Sequence, residues 1–230
     1  MLKLDLVRDP DAPFRVLALG AHCDDIEIGC GGTLLALLAA YPNLCFDWVV
    51  FTSNPVRARE AQASAERFLR GAKEKRVVLK EFRNGYFPDQ WARIKDEFEA
   101  LKDEVRPDLI LTHHVRDLHQ DHRTLAELTW NTFRDHTILE YEIAKYDSDL
   151  GAPNFFVPLD RATAALKARI LMECFASQRD KHWFSEDAFL ALMRLRGIQC
   201  AAPQGYAEAF HAQKLTAGIP AARPVREREG

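Results

Sequence analysis

The sequence predicts an α/β fold, a Rossmann-like three-layer sandwich with a mostly parallel central sheet. Three observations predict it. Short, near-continuous apolar runs of strand length recur between Arg15 and Ile143. Helix-period segments fall between them, each long enough to cross over and return beside its predecessor. Residues able to do chemistry stand directly after the runs, where open parallel sheets collect ligands.

Arg15 to Gly20 (RVLALG) reads as the first strand, apolar throughout and stopped at Gly20. Gly31, Gly32 and Thr33 then open a helix that runs to Ala40. Cys45 to Thr52, Arg76 to Phe82 and Asp108 to His113 repeat the buried-strand pattern, separated by helical patterns at Val56 to Leu69 and Gln90 to Val105. A further helix is expected from about Arg123 to Phe133, then a strand near Ile138 to Ile143. Tyr146 to Pro158 carries Gly151, Pro153 and Pro158 among polar residues, which reads as a long loop able to wall a pocket. Helices at Arg161 to Ala176 and Glu186 to Leu195 precede a short last strand, Tyr206 to Phe210. From Lys214 the chain turns to Ala, Gly, Pro, Arg and Glu and loses apolar periodicity. Residues 1–213 are therefore expected to form one catalytic domain and 214–230 a flexible tail.

At 230 residues, a single α/β domain with a continuous core is the default. Hydrophobic residues at 47 % and charged residues at 28 % are ordinary globular values, so a packed core is expected. A net charge of -3, without a Lys/Arg stripe interleaved with aromatics, argues against nucleic acid as a partner. No apolar run approaches the ~20 residues that span a bilayer, and Met1 to Pro13 is charged where a signal peptide would be apolar. Five cysteines without CxxC spacing indicate neither a disulfide framework nor a thiolate zinc cluster. The compartment expected from these features is the cytoplasm. A homo-oligomer is left open.

The first chemistry-bearing cluster is Ala21-His22-Cys23-Asp24-Asp25-Ile26-Glu27, immediately after the first strand. A water-activating metal site needs neutral nitrogen and anionic oxygen ligands, plus a separate base that reaches the water without binding the metal. His22 and Asp25 suit ligation and Asp24 suits the base. Alone, the same acids read equally as solvated residues favoured at a helix N-terminus. Gly29-Cys30-Gly31-Gly32 does not complete GxGxxG, and close helix-strand packing explains these glycines better than a dinucleotide does.

The second cluster, His113 to Arg123 (HHVRDLHQDHR), holds four of the eight histidines. Rossmann topology brings the ends of the first and fourth strands together at the switch point, so His122 can complete a His-Asp-His site with His22 and Asp25. Three protein ligands and one open position are the catalytic zinc pattern. His119, one helical turn before His122, suits an acid, and Asp121 suits hydrogen bonding to an imidazole. His113, His114 and Asp117 are divided between strand-end hydrogen bonding and substrate contact.

Taken together, AHCDDIEIGCGGT (Ala21 to Thr33) and DLHQDHR (Asp117 to Arg123) resemble the PIG-L/LmbE-like deacetylases, zinc enzymes that remove N-acetyl groups from glucosamine-containing substrates. Weaker echoes follow in order: Arg57-Ala58-Arg59-Glu60, Lys167, Ser177-Gln178, and Tyr206 to Phe210. The resemblance implies that His22, Asp25 and His122 bind Zn2+ and that Asp24 is the general base. It also implies that His119 stabilises or protonates the tetrahedral intermediate, tuned by Asp121. Arg57 would reach a sugar hydroxyl or phosphate, unless it pairs with Glu60 on a helix face. The family usually has Pro where this chain has Cys23, which loosens the turn and sets a thiol near the ion. Tyr86, Phe87, Trp91 and Trp183 suit either a sugar ring or a core.

The expected activity is hydrolysis of an N-acyl group, acetyl above all, from a small amino sugar or its conjugate. The alternatives are hydrolysis of another N-acyl amide, or a metal-dependent sugar-binding module without turnover. A dehydrogenase lacks its motif.

Overall fold

Side chains along the first strand, β1 (Phe14–Gly20), alternate between two cores, and the molecule is layered accordingly. Val16 and Ala18 join one apolar cluster, Leu17 and Leu19 the other. The computed structural model describes residues 3–7 and 9–216. Among them the remaining strands are β2 (Leu44–Val50), β3 (Glu74–Leu79), β4 (Leu109–His113), β5 (Thr137–Tyr141), β6 (Phe155–Leu159) and β7 (Tyr206–His211). The helices are α1 (Asp25–Ala40), α2 (Pro55–Phe68), α3 (Trp91–Glu104), α4 (Gln120–Thr132), α5 (Arg161–Cys174) and α6 (Glu186–Gln199), with single 3-10 turns at Pro88–Gln90 and Ala176–Gln178.

The sheet runs β3-β2-β1-β4-β5-β7-β6. Its first five strands are parallel, with β1 flanked by β2 (Phe14 opposite Leu44) and β4 (Val16 opposite Leu109). β7 runs antiparallel to both β5 and β6. Side chains of α1, α2 and α5 pack on one face, and those of α3 and α4 on the other. The three-layer, mostly parallel α/β architecture expected from the sequence is the one observed. Chain order reverses between β1 and β4, so the loops that follow them meet at the carboxyl edge of the sheet.

Two expectations need correction. α1 begins at Asp25 and not at Thr33, so three glycines lie inside it. A Cβ on Gly29 would stand 2.2 Å from the Tyr141 ring, one on Gly31 2.6 Å from Phe68, and one on Gly32 2.5 Å from Leu159. The helix tolerates its glycines because tertiary contact outweighs their propensity cost of about 1 kcal/mol each. The supposed long loop ends in a strand, β6, despite Pro158. β6 is an edge strand, where a missing N–H costs little because one side of the ladder has no partner.

A buried ion pair also grips α1. Lys167 Nζ donates to the Ile28 carbonyl and to Glu208 Oε1, each at 2.6 Å, while the Glu208 carboxylate accepts the N–H groups of Gly32 (2.8 Å) and Thr33 (2.6 Å). The expected tail from Lys214 lies mostly outside the described residues. No helix among the described residues is long and apolar enough to cross a membrane.

Candidate active site

Two strand-end loops and the helix turns that follow them carry the site. The turn after β1 presents His22, Asp24 and Asp25, the loop after β4 presents Asp117 and His119, and the first turn of α4 presents Asp121 and His122. His22 Nδ1 lies 3.1 Å from His122 Nε2 and 3.2 Å from Asp25 Oδ2, and His122 Nε2 lies 3.5 Å from Asp25 Oδ1. Residues a hundred positions apart in the chain thus converge as the topology required.

The unused ring nitrogens are held by carboxylates. His22 Nε2 faces Asp121 Oδ2 at 3.3 Å, and His122 Nδ1 faces Asp117 Oδ2 at 2.9 Å. Asp121 is itself fixed by the N–H groups of Gly85 (2.6 Å) and Phe87 (3.0 Å). Behind Asp25 sits His113, fully buried, with Nε2 at 3.1 Å from Asp25 Oδ2 and its ring stacked 3.9 Å from that of His122.

Electrostatics separates these groups. Burial depresses His22, but Asp25 and Asp121 overcome it and push the imidazole up to about 10. Burial, reinforced by His113, takes His122 down to about 3 against the pull of Asp25 and Asp117. For Asp25 burial is outweighed by His122, His113 and His22, which hold the carboxyl well below its usual range. Asp24 goes the other way, raised by burial although Arg57 opposes the rise. Its Oδ1 pairs with the Arg57 guanidinium at 2.7 Å, and its buried Oδ2 has no partner.

These residues fit a divalent cation. Zinc bonds of about 2.0–2.1 Å place tetrahedral ligands about 3.3 Å apart, close to the 3.1, 3.2 and 3.5 Å separations of His22, Asp25 and His122. A carboxylate on the far nitrogen of each imidazole is the support that metal-ligating histidines use. The field that keeps a proton on His22 would equally attract a metal ion. His22, His119 and His122 form a second donor set, and Asp25, His113 and His122 a third, each with donors within 4.8 Å of one another.

The cluster opens into a cleft of about 1070 Å³, lined by His22, Asp24, Arg57, His119, Lys145 and Trp183 among others. His119 is the N-cap of α4, its Nδ1 accepting the Asp121 N–H at 3.2 Å. Burial and the nearby His22 lower its pKa.

Three expected roles shift. Asp121 does bond an imidazole, but that of His22 instead of His119. Asp117 turns away from the substrate space to hold His122. His114 does not line the cleft; it pairs with Glu140 and stacks 3.8 Å from the His211 ring. Arg57 lines the cleft but its guanidinium is engaged by Asp24, with Glu60 further off at 3.7 Å. Of the aromatics, Trp183 borders the cleft, whereas Phe87 is fully buried in a core. Lys145 and the supporting role of His113 had no signal beyond residue type, since both depend on packing across the sheet.

Fold and site define an α/β protein with a two-loop, metal-competent His/Asp centre. The chain belongs to the PIG-L family, described as GlcNAc-PI de-N-acetylase, which it matches over residues 17–133. Its fold is similar to that of a conserved protein from Thermus thermophilus (21 % identity, TM-score 0.66, 90 % of this chain and 98 % of that one). The 4-carboxy-2-hydroxymuconate hydratase GalB from Pseudomonas putida is similar at 15 % identity and TM-score 0.69, over 91 % of this chain and 100 % of that one. The N,N'-diacetylchitobiose deacetylase from Pyrococcus horikoshii is similar at 21 % identity and TM-score 0.65, over 90 % of this chain and 87 % of that one.

Proposed function

We propose that the protein is a metal-dependent amidohydrolase, with zinc the expected ion, that removes an N-acetyl group from an amino sugar or amino-sugar conjugate. The products are acetate and a free amine. The observation that carries this reading is the meeting of His22, Asp25 and His122 at metal-ligand spacing, with the unpartnered Oδ2 of Asp24 beside them. PIG-L family membership supports the reaction class, as does the chitobiose deacetylase among its structural relatives.

His22 through Nδ1, Asp25 through its carboxylate and His122 through Nε2 would hold the ion. When bound, the ion supplies a water of lowered pKa and polarises the amide carbonyl. Asp24 accepts the proton of the attacking water at Oδ2 and returns it to the amine as the C–N bond breaks. Arg57 opposes the burial-driven rise of Asp24 and so favours the ionised form that the step needs. Because His119 Nδ1 accepts the Asp121 N–H, Nε2 carries the hydrogen, and a neutral His119 donates it as a hydrogen bond to the carbonyl oxygen as that gains charge. Of the two roles expected of His119, stabilising or protonating the intermediate, this reading takes the first.

The test is amine release from a panel of N-acylated amino sugars and N-acyl amines by the zinc-loaded protein. Asp24→Asn should keep zinc affinity and lose at least about 100-fold in kcat. Turnover of the wild type excludes a pure binding module, and a preference for other acyl groups selects the neighbouring reading. An Asp24→Asn protein as active as the wild type would sink the mechanism.

A further inference from the structure

Residues 142–154 connect β5 to β6 and wall the cleft; Arg196 holds the loop at Glu142 and the Gly151 carbonyl, and Lys145 holds it on the side of the His/Asp centre. The Lys145 side chain, only 9 % exposed, places Nζ 3.1 Å from Asp117 Oδ1 and 3.9 Å from Asp147 Oδ2, and pairs with Asp149. Asp149 Oδ2 also accepts the Leu118 N–H at 2.8 Å, which binds the loop to the segment after β4. A loop anchor would need no more than that. Yet the lysine also grips Asp117, whose Oδ1 accepts the His119 N–H at 2.8 Å and whose Oδ2 faces His122 Nδ1 at 2.9 Å.

Asp117 is 5 % exposed, so its charge is costly unless every lone pair is satisfied. Without Lys145 the carboxylate would keep one backbone donor and the His122 ring but lose its ion pair, and Oδ1 would be held by the His119 N–H alone. The same cation sits between Tyr146 and Asp147, which line the cleft, and the carboxylate that aims a metal-ligand candidate.

We propose that Lys145 is a positioning residue that sets the cleft wall and, through Asp117, the ring orientation of His122 together, a role that rests on the metal-hydrolase reading of His122. Substrate pressing on the wall and the geometry of the centre are then linked through a single side chain.

Two readouts on the full chain test it: the imidazole nitrogen NMR signals of His122 in metal-free protein, and zinc affinity by competition titration. Asp117→Asn should weaken zinc by about 10–100-fold. Lys145→Met should move the His122 signals in the same direction and weaken zinc by about tenfold, with Lys145→Arg restoring it to within about threefold. Asp149→Asn, which weakens the loop grip but leaves the Lys145–Asp117 contact in place, should move both readouts less than Lys145→Met does. In the Lys145→Met/Asp117→Asn double variant the losses should not add, because both act on one contact. If Lys145→Met does not fold, Lys145→Gln carries the same readouts. Unchanged His122 signals in the folded variant, an effect no larger than that of Asp149→Asn, or full additivity with Asp117→Asn would each overturn the proposal. A wild-type protein that binds no zinc would sink the functional reading instead, while the metal-free signals would still decide the Lys145–Asp117–His122 link.

Discussion

Asp24 and Asp25 are adjacent, chemically identical and buried, and their surroundings push them in opposite directions. Asp25 faces three imidazoles and stays ionised, as a ligand must. Asp24 faces one guanidinium and is raised by burial, as suits a group that must both take and give a proton. Arg57 lowers the Asp24 pKa, so its removal raises it further. A base works only when ionised, and Arg57→Met should therefore move the acidic limb of the kcat/KM profile to higher pH, costing more activity at pH 6 than at pH 8. A pH–rate series from pH 5 to 9 checks this, and an unmoved limb would remove Arg57 from the mechanism. Cys23 is pushed by burial up to about 12 and donates to the Thr52 carbonyl at 3.2 Å. Its thiol should be alkylated by iodoacetamide at pH 7.5 far more slowly than the partly exposed Cys174, as peptide mapping would show. Rapid alkylation of Cys23 would show that burial does not protect the thiol beside the His/Asp centre.

At the scale of elements, α1 is the part on which the site hangs, and its glycines and the Lys167–Glu208 pair set how closely it sits on the sheet. Gly29→Ala would drive a methyl group into the Tyr141 ring, whose hydroxyl donates to the Leu19 carbonyl at 2.5 Å, just before the site. The expected cost is about 1–3 kcal/mol of stability by urea unfolding, accompanied by weakened zinc binding because Asp25 is carried on the same helix. A Gly29→Ala protein of wild-type stability would mean that α1 shifts freely.

For the whole molecule, the parallel order β3-β2-β1-β4-β5 places the switch point under the His/Asp centre. The same architecture serves a hydratase and a deacetylase among similar structures, so fold alone does not choose the reaction. An ion that joins the β1 turn to α4 binds the folded chain only. Zinc at about a hundredfold above its Kd should add about 2.7 kcal/mol, a rise in Tm of roughly 5–10 °C, reversed by EDTA. A Tm indifferent to zinc and chelator would argue that no ion bridges the two loops.

From the sequence alone came the βα rhythm, the helix-period crossovers and the two motifs at strand ends, because apolar periodicity and residue chemistry are local properties of a chain. The convergence of His22, Asp25 and His122 was legible too, since parallel topology leaves few ways to arrange the first and fourth strands. Tertiary structure alone decided which carboxylate serves which imidazole, turned Asp117 and His114 away from the substrate space, paired Arg57 with Asp24 and brought Lys145 to Asp117. It also carried α1 back through its glycines to Asp25 and made an edge strand of a proline-bearing segment. The reason is common to all of these: partner choice, burial and close approach depend on distances between segments remote in sequence, and no local pattern encodes them.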